Sequence, residues 1–241
     1  MNRYGLNPAR RRFLVVAGTA IAAAGLPFAA RPADKVKIGV IGAGNVGSAL
    51  GRAWVKAGYD VMFSSRHLED DEALAASLGA GASAGTPREA AAFGDVLLVA
   101  VPYGALPEVG KDLSEVIGGK VIIDACNPFP GRDGEIAEWA LEKGAGLASA
   151  ELLPGARVVR AFNAVGAARM GTAHQEPGRV GMPIAGDDAE AVAIASRLIR
   201  DIGYEPVLIG GLDKGRYLMP GTPLAGERSA EEIRRIAAEL P

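Results

Sequence analysis

The sequence predicts an α/β fold, a doubly wound parallel sheet with a short C-terminal helical extension, and three observations predict it. After Asp34, short apolar runs alternate with amphipathic or alanine-rich segments at the spacing of βα units. The runs are nearly continuous in Val, Ile and Leu, as strands buried on both faces require. The first run closes on Gly42-Ala43-Gly44-Asn45-Val46-Gly47, which opens a helix, the setting of a Rossmann dinucleotide-binding unit.

Strands are expected at residues 36–41, 61–64, 96–101, 121–125, 157–162 and 206–209, with an edge strand at 180–185. Helices are expected at residues 45–57, 72–78, 87–93, 105–116, 135–143, 164–170, 188–202 and 230–240. Ser229 followed by Glu232 is a capping-box signature for the last of these. Pro102 and Pro128 hold the residues before them extended, which ends two strands or shapes the floor of a crevice. With no repeat or long linker after Asp34, residues 34–241 read as one domain.

The 241 residues carry a formal charge of −2, distributed unevenly. Residues 1–33 hold five arginines and no acid, leaving 21 basic against 28 acidic residues in the remainder. Such an acidic body offers no basic face for a nucleic acid. Ala9-Arg10-Arg11-Arg12-Phe13-Leu14 resembles a twin-arginine (Tat) export signal and leads into a stretch diluted by Ala, Gly and Thr. Residues 1–33 are therefore expected to be a signal peptide that takes the protein to the periplasm or another extracytoplasmic site, with no stable membrane span after processing. An uncleaved membrane anchor is the alternative. Cys126 is the only cysteine, so neither an internal disulfide nor a cysteine-rich metal site can form, and no metal is expected.

The motif assigns roles to its glycines: Gly42 for the tight turn, Gly44 for close approach of backbone N–H groups to a pyrophosphate, Gly47 for packing of helix on strand. Ala43, Asn45 and Val46 complete the loop, and the helix N-terminus supplies free N–H donors and a positive dipole end. About 20 residues beyond the motif an NAD site carries an acid for the ribose. Here stand Ser64, Ser65 and Arg66, followed by His67. Two hydroxyls and a guanidinium suit a 2′-phosphate, so the expected cofactor is NADP. Glu69, Asp70 and Asp71 just beyond are read as acids of the next helix's start.

The nicotinamide half of such a ligand lies beyond the carboxyl ends of the later strands. Val101, Pro102, Asn127 and Asn163 occupy those ends. The two amides either hold a carboxamide or acceptor ring or cap turns, and the residues leave both readings open. Tyr103 and Cys126 read as packed side chains, and His174 as a loop residue. No His/Cys/Asp/Glu constellation suits hydrolysis, so no catalytic side chain is assigned, which is compatible with hydride transfer, where the cofactor carries the chemistry.

Taken together, Ile38 to Gly47, Ser64-Ser65-Arg66, Val101-Pro102, Asp124-Ala125-Cys126-Asn127-Pro128 and Val158-Val159-Arg160-Ala161-Phe162-Asn163 resemble the NADPH-dependent F420 reductases in kind and order. The chain departs from that family at Asp70, where some members carry a base, and at Ala43, often polar there. The resemblance implies hydride transfer between NADPH and a deazaflavin or flavin-like acceptor, with Ser65 and Arg66 on the 2′-phosphate, and leaves a homodimer open. Two other functions stay open: a non-catalytic NADP-binding or redox-sensing module, and a relative of the imine or hydroxyacid reductases. The short segment after the last strand leaves little room for the large helical domain of the latter.

Overall fold

A computed structural model describes residue 1, residues 36–172 and residues 180–241. The expected signal, residues 1–33, lies outside the described residues apart from Met1, as does His174. Within Lys35–Pro241, which form one compact unit, the eight strands of the described sheet run in the order β3-β2-β1-β4-β5-β6-β7-β8. They are β1 (Ile38–Ile41), β2 (Val61–Ser64), β3 (Ala82–Ala84), β4 (Val96–Val99), β5 (Val121–Asp124), β6 (Arg157–Arg160), β7 (Gly181–Gly186) and β8 (Glu205–Leu208). The first six are parallel; β7 reverses direction against β6 and β8 follows it. The doubly wound α/β fold is thus present, with the order reversing between β1 and β4.

Apolar side chains on both faces hold the sheet. Along β4, Val96 and Leu98 join one buried cluster with Trp54, Phe63, Phe162 and Tyr204, while Leu97 and Val99 join another with Tyr103, Leu106 and Ile122. Each such side chain removed from water contributes about 1.5–3 kcal/mol. Helices α1 (Asn45–Lys56) and α10 (Ala189–Asp201) cover the first face, joined by the Trp54 indole donating to the Leu198 carbonyl at 3.0 Å. Helices α3 (Pro87–Phe93), α4 (Leu106–Asp112), α5 (Ser114–Ile117) and α8 (Ala145–Leu152) contribute to the second.

Several expectations are corrected. Residues 180–185 were expected at an edge, but β7 pairs on both sides and the edge is β8. The helix expected over 105–116 is broken into a 3-10 turn at Tyr103–Ala105, α4 and α5. At the second break the Ser114 hydroxyl donates to the Lys111 carbonyl, competing with the helical ladder. Helix α2 (Leu68–Leu78) starts four residues early, so Glu69, Asp70 and Asp71 lie in its first turn, where acids favour the helix dipole. Helix α9 (Ala167–Met170) starts three residues late because Phe162 turns the chain aside at φ +68°. Strand β3 and helix α8 had no apolar signature: Ala-Ser-Ala makes the one, and small residues behind Gly144 the other. Helices α6 (Pro130–Asp133), α7 (Glu135–Lys143) and α11 (Ala230–Ala238) complete the set among the described residues, and Ser229 and Glu232 form the expected capping box.

Only Val159 and Arg160 of β6 pair with β7, opposite Gly186 and Ala185. By that register Gly181–Ile184 extend beyond the carboxyl end of β6 and, with β8, stand as a wall beside the loop that follows it.

Candidate functional site

The glycine loop links β1 to α1 at the order reversal, where ligands of open α/β sheets bind. Gly42 has φ +100°, and a side chain there would strike the Ala100 carbonyl at 2.6 Å. Gly47 lies so close beneath the loop that a Cβ would meet the Gly42 carbonyl at 2.1 Å. Gly44 is different: a Cβ on it would find nothing within 4 Å. The chain leaves a space there, in front of the first turn of α1, whose N-terminus no side chain caps. The free N–H groups of Asn45, Val46 and Gly47 suit an anion, and a pyrophosphate fits the space.

The carboxyl end of β2 adjoins this loop directly, since the Ser64 carbonyl accepts N–H bonds from Gly42 at 2.8 Å and Ala43 at 3.0 Å. The Ser64 hydroxyl is buried and donates to the Val40 carbonyl at 2.7 Å, so it is committed to the sheet. Ser65 accepts the His67 N–H at 3.0 Å and thereby shapes the turn that presents Arg66. The exposed Arg66 guanidinium makes no hydrogen bond or ion pair among the described residues. This guanidinium, without a partner among the described residues, lies two residues beyond the strand that anchors the glycine loop, in the region where NADP sites meet the 2′-phosphate.

On the other side of the reversal, Val101 flanks Gly42 and exposed Pro102 leads into the 3-10 turn. Asn127 and Asn163 exchange bonds across the ends of β5 and β6: Asn127 Nδ2 donates to the Asn163 carbonyl at 2.8 Å, and Asn163 Nδ2 to the Cys126 carbonyl at 3.1 Å. Both amide nitrogens therefore fix loops, while the buried Asn163 Oδ1 has no partner. Phe162, in a left-handed conformation that costs a non-glycine residue about 1–3 kcal/mol, is pinned by edge contacts with Trp54 and Tyr204. That turn aims Asn163 back at Cys126.

Beneath this clamp lies a buried polar network that the sequence reading missed. Arg160 Nη1 donates to Asp124 Oδ2 at 2.6 Å and to Ser149 Oγ at 3.3 Å, and Arg160 Nη2 reaches Asn127 Oδ1 at 3.4 Å. Asp124 Oδ1 accepts the Cys126 N–H at 2.8 Å, and Tyr103 shares a bond with Ser149 at 3.2 Å. Burial first, with Asp124 nearby, pushes the Cys126 thiol well above its ordinary value, so the thiol is no ready nucleophile. Burial likewise raises Tyr103. A charged residue closing each of two strands whose middle positions are apolar, Asp124 in Val-Ile-Ile-Asp and Arg160 in Arg-Val-Val-Arg, is the sequence signal that could have revealed the pair.

No group of His, Cys, Asp and Glu among the described residues could hold a metal ion, and none of the described helices is long and apolar enough to cross a membrane. The arrangement can bind and orient a dinucleotide, and among the described residues it presents no acid–base pair in the crevice.

A family described as NADP oxidoreductase coenzyme F420-dependent matches residues 37–128. The F420-dependent NADP reductase of Methanothermobacter marburgensis is 30% identical over 203 residues, covering 78% of this chain and 90% of that protein. The metalloreductase STEAP3 of Rattus norvegicus is 29% identical over 188 residues, which is 77% of this chain, and the chain spans 36% of that protein's length. Among solved structures, a hypothetical protein from Sinorhizobium meliloti has a TM-score of 0.69 at 28% identity, covering 79% of this chain and 93% of that one.

Proposed function

The chain belongs to the coenzyme F420-dependent NADP oxidoreductase family, and on that premise we propose that it passes hydride between NADPH and a deazaflavin or flavin-like acceptor. It is an NAD(P)-dependent oxidoreductase with NADP as its cofactor. The observation that carries the reading is the pairing of an open space at Gly44 with an Arg66 that has no partner among the described residues, the two joined through the Ser64 carbonyl. In this reading the first-turn N–H groups of α1 hold the pyrophosphate, Arg66 and Ser65 hold the 2′-phosphate, and Val101, Pro102, Asn127 and Asn163 border the nicotinamide half.

Bound NADPH supplies a hydride to the acceptor ring, with one proton taken from solvent. The protein's share is positioning, which in well-oriented reactions lowers a barrier by about 7–11 kcal/mol. The Asn127–Asn163 clamp and the strained Phe162 keep the crevice floor in one shape. Residues 1–33, read as an export signal, extend the proposal: an exported protein would receive its NADP before translocation and retain it.

The test is anaerobic mixing of NADPH-loaded protein with coenzyme F420, FMN and a soluble quinone, followed by NADPH absorbance. Oxidation by coenzyme F420 or FMN is expected. Absence of oxidation with all three would leave a cofactor-binding module in place of a reductase.

A further inference from the structure

We propose that Phe129 is the stacking platform for the acceptor's planar ring, fixed in place by Asp133, an inference that rests on the hydride-transfer reading above. Among the described residues Phe129 is the one exposed aromatic side chain, with 40% of its surface accessible; the other aromatic side chains are buried or half-buried. An isolated exposed apolar residue is ordinary on any surface. What sets Phe129 apart is how it is held.

The Asp133 side chain is 2% exposed. Its carboxylate accepts the Phe129 N–H at 3.0 Å, the Gly104 N–H at 3.1 Å, and both Nε and Nη2 of Arg132 at 2.9 and 2.8 Å. Burial alone would raise this carboxyl, but the Arg132 bonds and the two backbone donors outweigh it and hold it below its ordinary value, so the staple stays ionised. One carboxylate therefore ties the loop after β4 to the loop after β5. Arg132 donates again to the Asn127 carbonyl at 2.8 Å and lays its guanidinium over the Phe129 ring, 5.0 Å from the centroid. The ring is thus backed by a cation and still keeps 40% of its surface accessible.

Its place in the fold completes the case. Phe129 lies two residues beyond Asn127, which is tied to the Asn163 carbonyl at the end of β6. Phe129 thus belongs to the loop beyond the carboxyl end of β5, which is tied to the loops after β4 and β6, on the side of the order reversal away from Arg66, where the nicotinamide half and its acceptor are expected. A rigid aromatic face binds a flat π-system with little ordering cost, and such stacking strengthens binding by roughly five- to 150-fold. Ligands without a planar ring system gain nothing from it.

The probes are FMN and coenzyme F420, titrated into NADP⁺-loaded protein while their fluorescence is followed. Wild-type protein is expected to quench at least one of them. Phe129→Ala and Phe129→Leu should weaken that binding about tenfold or more, Phe129→Trp should restore it, and NADPH affinity should not change in any variant. The leucine variant keeps the bulk of the side chain, so a loss shared by both aliphatic variants cannot come from misfolding of one. Absence of quenching by the wild type with either probe, or wild-type affinity in both aliphatic variants, overturns the platform. If acceptor binding depends on Phe129 but NADPH is never oxidised, the platform stands and the hydride-transfer reading falls. If NADPH is oxidised with the same acceptor KM in wild type and variants, hydride transfer stands and the platform falls.

Discussion

Asp124 and Arg160 are cross-strand neighbours at the carboxyl ends of β5 and β6, their charged groups 2.6 Å apart and neither side chain exposed. Removing two charges from water is costly, and a buried pair offers no guarantee of net stability, but loss of one partner strands the other. Asp124→Asn and Arg160→Met should each lower unfolding free energy by about 3–5 kcal/mol, whereas an apolar double replacement should lose less than the sum. Urea denaturation of the singles and the double gives the comparison, and single losses under about 1 kcal/mol would contradict the picture.

Arg66 is exposed and has no hydrogen-bond or ion-pair partner among the described residues, so its removal should leave the fold intact while reporting on cofactor choice. Arg66→Ala is expected to weaken NADPH binding roughly tenfold to hundredfold and NADH binding hardly at all. Nicotinamide fluorescence titrations with both cofactors measure this. Equal losses would remove the guanidinium from the 2′-phosphate.

Gly44 and Gly47 should respond in opposite ways to one added methyl group. Gly44 has φ −70°, which any residue adopts, and open space ahead of it, so Gly44→Ala should fold normally and lose NADP affinity. Gly47→Ala would place its methyl 2.1 Å from the Gly42 carbonyl and should cost about 1–3 kcal/mol of stability. Thermal unfolding with and without NADP separates the two effects: ligand-induced stabilisation should vanish in the first variant, and the ligand-free midpoint should fall in the second.

Asp188 caps α10 and pairs with Arg157 at 2.7 Å, and hydrogen bonding by that guanidinium first, with the Ala191 N–H second, lowers its carboxyl to about 2. In the unfolded chain an aspartate titrates near about 3.9. The native state therefore holds the proton less tightly. Its stabilisation is fully present above the unfolded value and drains away as pH falls from about 4 through about 2. Urea midpoints measured between these pH values should drop less in Asp188→Asn than in the wild type; parallel curves would show that the pair does not contribute.

Much of the fold was legible because the strands declare themselves. Val61–Ser64 and Glu135–Lys143 fall where the apolar runs and the helical period put them, and the glycine loop was found by its setting between strand and helix. Position within the sheet was less legible, since β7 looks like an edge strand until β8 is seen beside it. At the site, the sequence named the glycine loop, Ser65 and Arg66 from local spacing alone. It could not show that the Ser64 hydroxyl turns into the sheet, nor that Asp133 reaches both Gly104 and Phe129, because those bonds depend on how loops from different strands meet. The buried pair was the more recoverable omission, since Asp124 and Arg160 each close a strand just after two apolar residues.

The narrow seam between β6 and β7 separates two kinds of heritable change. The glycine loop and Arg66, proposed to hold the adenosine phosphates, are encoded before residue 70, beside strands whose ladders never touch the reversed pair. The reversed pair β7–β8 is built from residues after 180 and joins the ladder of the parallel sheet through two residue pairs. Substitutions in β7 and β8, in the last quarter of the chain, therefore reach the parallel ladder through that seam, and the segment that holds NADP in the proposed reading can be inherited unchanged while they accumulate.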